Sequence, residues 1–335
     1  MYKGSLIQKL DLRSRLELLE TALYRSKKVF ANHEKSECEV EPLSHQVGGH
    51  PMMRIPPDYI LKPFNISEDD ERGLREVFFY EIIAFASKFG TCDHEIHAEI
   101  IDKDKQLQAI LALLRKLSVF IPLYHGINRI HMKGERRARP EGIVLKDITS
   151  DFKVPCIMDI KMGKQTYEPN ASIEKKRSQM KKYPEQEIFG FRIIGMKIYS
   201  PTHLDADDKG FRVFGKSFGR KLNHDSKVQA ALRTFFQLEN PSTRDSRFVL
   251  LVEKILEKLN ELSHILNKHN DSLAFTSSSI LIVYEGEDID KAIPKCTVNV
   301  IDFAHVRYEA EGDDGFLHGI NTLEKFLNAI RNQSS

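Results

Sequence analysis

An acid and a base two residues apart interrupt an otherwise apolar run, Pro155-Cys156-Ile157-Met158-Asp159-Ile160-Lys161-Met162-Gly163. The β-branched and apolar content predicts a short buried strand, and alternation then places Asp159 and Lys161 on one face near its glycine-marked end. A carboxylate and an ammonium in that setting are costly unless they serve each other or a ligand. A salt-bridged pair closing the strand is one reading, and a site for a charged ligand is the other.

A second constellation follows at once. Asn170 as N-cap and Pro184 as stop predict a helix over 170–183. Within it Lys175, Ser178, Gln179 and Lys182 fall at i, i+3, i+4 and i+7 and so share a face. The stretch from Lys175 to Lys182 holds five basic residues and no acid. Such a face repels itself unless an anion sits on it, which points to phosphate recognition; a solvated basic helix or nuclear-import patch is the alternative.

The third constellation is an apolar strand, Val298 to Ile301, that delivers Asp302 in the segment Asp302-Phe303-Ala304-His305. A carboxylate at a strand end suits Mg²⁺ held against nucleotide phosphates, although a lone aspartate there is also a turn former. Upstream, Gly48 and Gly49 stand between two predicted strands, the second of which runs from Asp58 to Lys62 and ends on a lysine. That pattern fits an ordinary hairpin, or a flap whose backbone amides approach phosphate.

Helices and strands must bring these pieces together. Hydrophobic spacing predicts a helix over Arg72–Lys88, with Leu74, Val77, Phe78, Ile82 and Phe85 on one side and Glu76 near its start, and a second over 104–117. Strands are expected at about 120–131 and 141–148 around a basic loop, 133–139, that reads as a solvated hairpin tip or a weak nuclear-targeting patch. Further strands are expected over Gly190–Tyr199, Phe211–Ser217 and Ser277–Gly286, and helices over Lys227–Phe236 and Arg247–Lys268. Leucines spaced through residues 6–31 predict a peripheral amphipathic helix.

Pro-x-x-x-Asp-x-Lys-x-Gly, read here as Pro155, Asp159, Lys161 and Gly163, resembles the signature of the inositol polyphosphate kinases. With PCIMDIKMGKQTY, SQMKKYP and FGFRIIGMKIY, the chain looks most like the multikinase branch of that family, over roughly residues 42 to 331. The resemblance implies an α/β (α+β) fold of two lobes: an N-terminal helical extension over 1–40, an antiparallel-sheet N-lobe over 41–148 and a mixed C-lobe over 149–335, with ATP between the lobes. It implies that Lys62 contacts ATP phosphates and pairs with Glu76, that main-chain groups of Lys146 and Ile148 hold adenine, that Asp159 binds ribose, and that Asp302 ligates Mg²⁺. Lys161 would lie between nucleotide and acceptor, and Arg72, Lys175, Gln179, Lys182 and His305 would hold an inositol polyphosphate. The chain departs from the family pattern at Lys146, where an acid is expected, and at Ser178, where a glutamine is expected.

The implied activity is ATP-dependent phosphorylation of inositol trisphosphate through tetrakis- to pentakisphosphate. Two alternatives stand beside it: a hexakisphosphate kinase that makes pyrophosphates, and a basic nucleic-acid or scaffold module. The second is disfavoured because no aromatic platform accompanies the basic face. A formal net charge of only +2 means that any polyanion site must come from local clustering. Cys38, Cys92, Cys156 and Cys296 are scattered without metal-ligand spacing, which argues against zinc. No signal-peptide pattern or membrane-length apolar run occurs, so a soluble protein of the nucleus or cytoplasm with reduced thiols is expected.

Overall fold

The computed structural model describes residues 41–43, 46–47, 51–63, 72–88, 105–129, 141–238, 246–287, 294–308 and 312–332. The expected helix within 6–31, the Gly48-Gly49 flap, the basic loop 133–139, Cys38 and Cys92 lie outside the described residues.

The first lobe is a five-stranded antiparallel sheet in the order β1-β2-β3-β5-β4. Its strands are β1 (Glu41–Pro42), β2 (Met53–Ile55), β3 (Tyr59–Pro63), β4 (Tyr124–Arg129) and β5 (Glu141–Lys146). Between β3 and β4 come α1 (Arg72–Lys88) and α2 (Lys105–Leu117). Helix α2 turns six apolar side chains inward, Leu107, Ile110, Leu111, Leu113, Leu114 and Leu117, at the expected helical spacing. Helix α1 departs from the predicted single stripe: Leu74 is exposed, whereas Val77 through Tyr80, Ile82, Ile83, Phe85 and Ala86 are buried. It is packed on several sides at once, touching α2, β4 and the segment around Phe303.

The second lobe is built on another antiparallel sheet, in the order β11-β10-β6-β7-β8. Strand β6 (Pro155–Met162) lies in its middle, between β10 (Ser279–Glu285) and β7 (Phe191–Tyr199). Every β6 residue except Lys161 is buried, because the strand is covered on both faces. Strand β8 (Phe211–Phe214) stops short of the predicted Ser217; residues Lys216–Gly219 instead form a helical turn, α5. At the other edge is β11 (Cys296–Ile301).

Between β6 and β7 stand α3 (Ile173–Lys182) and the short α4 (Gln186–Phe189). The N-cap of α3 is Ser172, not the expected Asn170: the Ser172 hydroxyl accepts the Lys175 N–H at 3.2 Å, and Asn170 sits in the preceding turn. Tyr183 ends the helix just before Pro184. Helices α6 (Asp225–Phe235), α7 (Ser246–His269) and α8 (Asp314–Asn332) complete the C-terminal layer, with β9 (Leu273–Phe275) paired to β12 (Val306–Tyr308). Sequence reasoning left α8, β9 and β12 unassigned, although Phe316, Ile320, Leu323, Leu327 and Ile330 carry a helical period that all bury.

One close approach fixes how α8 sits on this sheet. Gly190, at φ +68°, caps α4 in the left-handed region, and its carbonyl faces Gly319 of α8 so closely that a Cβ on Gly319 would stand 2.2 Å from that oxygen. The same carbonyl accepts the Gly163 N–H at 2.8 Å, so the loop leaving β6 is tied to this crossing. Gly319→Ala must push α8 off the sheet and should cost about 2–4 kcal/mol, measured as a fall in the denaturation midpoint; an unchanged midpoint would contradict this packing.

Candidate functional site

The carbonyl and side chain of Asp302 are set by its neighbours. Phe303 is fully buried, with its ring 4.4 Å from that of Phe79 and 5.3 Å from that of Tyr80, both on α1. The Phe303 N–H donates to Glu76 Oε1 at 3.0 Å, and Ser278 Oγ donates to the Asp302 carbonyl at 2.8 Å. Held on both sides, Asp302 adopts φ +66°, a strained conformation for a residue with a side chain.

Lys62 reaches this point from β3. Its Nζ lies 2.7 Å from Glu76 Oε1 and 2.6 Å from Asp302 Oδ1. Burial works against its charge, but the carboxylates of Asp302 and Glu76 outweigh that, and the ammonium is held well above the usual lysine range. Glu76 is nearly buried and satisfied by two donors, while Asp302 is more open to solvent.

This cluster stands at the mouth of an interlobe cleft walled by Val47, Met52, Ile60, Leu145, Ile148, Ile157, Leu281 and Ile301, with Asp147, Asp159 and Lys62 as polar points. Narrow apolar walls and a few placed polar groups suit a flat heteroaromatic ligand. Of the two expected hinge residues, Ile148 lines the cleft. Lys146 does not: its N–H donates to the Leu123 carbonyl at 2.8 Å and its side chain turns to Asp58 and Asp151 at 3.5 and 3.7 Å. Any main-chain contact from Lys146 is therefore left to its carbonyl.

Asp159 and Lys161 do share a face of β6, but they do not form the salt bridge that would make them a self-satisfied pair. Lys161 Nζ donates to Ser277 Oγ at 2.8 Å and to the Ser277 carbonyl at 3.1 Å. Asp159 is buried, and its Oδ1 accepts from no group among the described residues. An orphaned carboxylate oxygen facing a cleft is a place for a ligand hydroxyl. Burial first, and the nearby Asp302 charge second, push the Asp159 carboxyl up to about 6. Burial also lowers Lys161, against the pull of Asp302 and Asp159.

Beyond Asp302 opens a second cleft of about 220 Å³, lined by Asp159, Lys161, Gln179, Lys182, Arg192, Lys216, Arg220 and Asp302 among others. Thus Gln179 and Lys182 of α3 meet Lys161 and Asp302, whereas Lys175 and Ser178 share the predicted helix face but do not line this cleft. Arg72 is exposed at the start of α1 and does not line it either. His305 is engaged elsewhere: its Nδ1 lies 2.6 Å from Glu168 Oε1, which also takes Arg75 at 3.1 Å. Burial lowers the His305 pKa, so the neutral ring donates from Nδ1, while the His305 bond and the Arg75 charge hold the Glu168 carboxyl below its usual range despite burial. A larger cleft, about 850 Å³, lies behind α3 around Tyr167 and Asp313, but it contains only Gln179 of the predicted residues; chemistry rather than size places the site.

Sequence reasoning missed Arg192, Lys216, Arg220, Glu168 and Ser277. Arg192 was legible: it stands two residues into a predicted strand and projects from the partner strand of Lys161. The others depend on turns that no local pattern announces.

The Asp159 carboxyl makes a stability prediction. With its pKa raised to about 6 by folding, it holds a proton in the folded chain that the unfolded chain has already released between about pH 4 and 6. Its ionisation therefore destabilises the ligand-free fold above about pH 6 and has no effect below about pH 4. Asp159→Asn should be more stable than the parent at pH 8, by up to about 3 kcal/mol, with the gain vanishing toward pH 4 in thermal melts. A gain independent of pH would contradict a desolvated carboxylate.

A sequence profile of the Inositol polyphosphate kinase family matches residues 142–328, more than half of the chain. Inositol polyphosphate multikinase beta of Arabidopsis thaliana is 30% identical over 312 residues, covering 85% of this chain and 92% of that protein. Inositol polyphosphate multikinase of Homo sapiens is 29% identical over 261 residues, covering 73% and 51%; Inositol hexakisphosphate kinase 3 of Mus musculus is 32% identical over 212, covering 56% and 50%. The chain thus spans about half the length of these mammalian relatives. Its fold is similar to a crystal structure of Inositol Phosphate Multikinase Ipk2 from S. cerevisiae in complex with ADP and Mn2+, with TM-score 0.57, 24% identity and coverage of 82% of this chain and 99% of that one. Matched by the profile over residues 142–328 and by a plant relative over 85% of its length, the chain belongs to the inositol polyphosphate kinase family.

Proposed function

We propose that this chain is an ATP-dependent inositol polyphosphate kinase of the multikinase type, converting inositol trisphosphate through tetrakis- to pentakisphosphate. The observation that carries the reading is the Lys62–Glu76–Asp302 cluster, set where an apolar slot meets a cationic cleft. The slot suits a nucleotide base and the cleft suits an acceptor rich in phosphate. The relatives named multikinases support the same assignment.

In this reading the apolar walls take adenine, with Ile148 at the hinge, and the unsatisfied Asp159 Oδ1 accepts from ribose hydroxyls. Lys62, positioned by Glu76, contacts the nucleotide phosphates. Among the described residues no group of three or more His, Cys, Asp or Glu could hold a metal ion alone, so Asp302 would share Mg²⁺ with those phosphates. The bound metal would neutralise charge on the phosphates. Lys161, anchored by Ser277, lines the cationic cleft beside Asp159 and Asp302, the two residues shared by both clefts, and would offset charge on the transferring group. Gln179 and Lys182 hold the acceptor from α3, Lys175 extends that face, and Arg72 with His305 would approach from α1 and the loop after β11. Phosphoryl transfer needs positioning and charge stabilisation above all, and this constellation supplies both.

Between Gly163 and Gly190 only α3 and the four-residue α4 intervene, so the lip over the acceptor is short. Few enclosing contacts imply loose discrimination among ring positions. No helix among the described residues is long and apolar enough to cross a membrane. We further propose that the chain acts in the nucleus or cytoplasm.

Asp302→Asn should lower kcat on the order of a hundredfold or more while leaving the far-ultraviolet spectrum intact; parental turnover in the folded variant would remove Asp302 from the mechanism. For substrate range, chromatography of products from magnesium-ATP and inositol trisphosphate should show tetrakis- and pentakisphosphate with phosphate at more than one added position. A single tetrakisphosphate would contradict the multikinase reading, and preferred turnover of the hexakisphosphate would favour the pyrophosphate-forming type.

A further inference from the structure

Lys161 of β6 and Arg192 of β7 are direct cross-strand partners, with Ser279 of β10 opposite Lys161 on the other side. Partners in an antiparallel pair project from the same face about 5 Å apart at Cβ, where like charges destabilise. Arg192 packs its guanidinium over the Tyr183 ring, 5.8 Å from the centroid, and points into the same 220 Å³ cleft as Lys161. There Arg220 and Lys216, carried in by the helical turn after β8, join it. Among the described residues none of Arg192, Lys216, Arg220 or Lys182 is ion-paired to a carboxylate. Burial, then the charge of Arg220, both oppose the cationic form of Arg192.

Five cations thus converge on one small cleft that contains only Asp159 and Asp302 in opposition. Neither acid touches the guanidinium groups, and one of them is engaged by Lys62. Such a concentration of positive charge repels itself, and a multivalent anion between its members relieves that repulsion. Guanidinium forks on a rigid strand and an adjoining turn match the geometry of a phosphate monoester better than a point-charge lysine does.

We propose that Arg192, Arg220 and Lys216 form a second phosphate subsite, across the cleft from α3, that holds a phosphate monoester of the acceptor. The inference rests on the kinase reading above and adds to it a specificity element: the acceptor is gripped from α3 on one side and from β7 and α5 on the other. A more highly phosphorylated acceptor gains more from this grip, so the subsite favours tetrakisphosphate over trisphosphate as the acceptor. The nucleotide's own phosphates are the competing source of the same chemistry.

Steady-state kinetics of the full chain with Arg192→Leu, Arg220→Ser and the double variant separate these. Arg220 is exposed, so its replacement leaves the fold intact. The double variant should raise KM for inositol tetrakisphosphate about tenfold, and that for trisphosphate less, with KM for ATP within about twofold. Arg192→Lys should recover part of the loss. An equal rise in KM for ATP would give the subsite to the nucleotide, and no change in either KM would make the cluster a solvated surface; both overturn the proposal. If the parent chain phosphorylates no inositol phosphate, the kinase reading fails by itself. The subsite is then judged by the thermal upshift that inositol hexakisphosphate, used as a polyanion probe, gives the parent and the double variant: a smaller upshift in the variant supports it, and an equal one overturns it.

Discussion

One ammonium held between two carboxylates organises this molecule. Lys62 comes from the first sheet, Glu76 from α1 and Asp302 from the far edge of the second sheet, so the cluster joins the lobes at the point where their clefts meet. Removing one member of such a cluster leaves an uncompensated charge, which costs more than the intact cluster contributes. The two acids are not equivalent. Glu76 is buried and also accepts the Phe303 N–H, so it is fixed; Asp302 is more exposed and reaches Lys62 by the side chain of a strained residue. The Glu76 contact remains to position the lysine when Asp302 is engaged by something else.

Charge on the second sheet is sorted by position rather than by net amount. Along β6, Lys161 lines the cationic cleft while Asp159 lines both that cleft and the apolar slot, and the neighbouring strands add Ser279 and Arg192 to the cationic side. A chain with formal charge of only +2 therefore builds a strongly positive concavity beside a nearly apolar one. In the proposed reading that separation gives the site its directionality, with one ligand on each side and with Asp159 and Asp302, which line both clefts, marking where they would meet.

Much of this was legible in the residues. The 155–163 run announced a buried strand, its alternation placed Asp159 and Lys161 on one face, and the predicted helices over Arg72–Lys88 and 104–117 correspond to α1 and α2 within a residue. Local pattern failed where tertiary contacts decide. Leu74 scans as core but faces solvent, because the burial of α1 is set by several neighbours and not by one sheet. Asn170 is a good cap residue, yet Ser172 caps α3, since the turn before the helix positions its hydroxyl and not the Asn170 amide. The alternative of an acid–base pair on β6 falls because Ser277, expected to open a strand but standing in a turn at positive φ before β10 begins at Ser279, offers Lys161 two oxygens. Arg220 and Lys216 enter the cleft only because β8 ends early in a helical turn.

The central claim is that the Lys62–Glu76–Asp302 cluster is the seat of a metal-bound nucleotide. Calorimetric titration of ATP into the protein, with and without Mg²⁺, tests it most directly. The account predicts that Mg²⁺ tightens ATP binding about tenfold or more in the parent chain, and that Asp302→Ala abolishes this dependence while metal-free binding persists. Binding of ATP that is equally tight with and without Mg²⁺ in the parent chain, or a metal effect that survives the loss of Asp302, would contradict it.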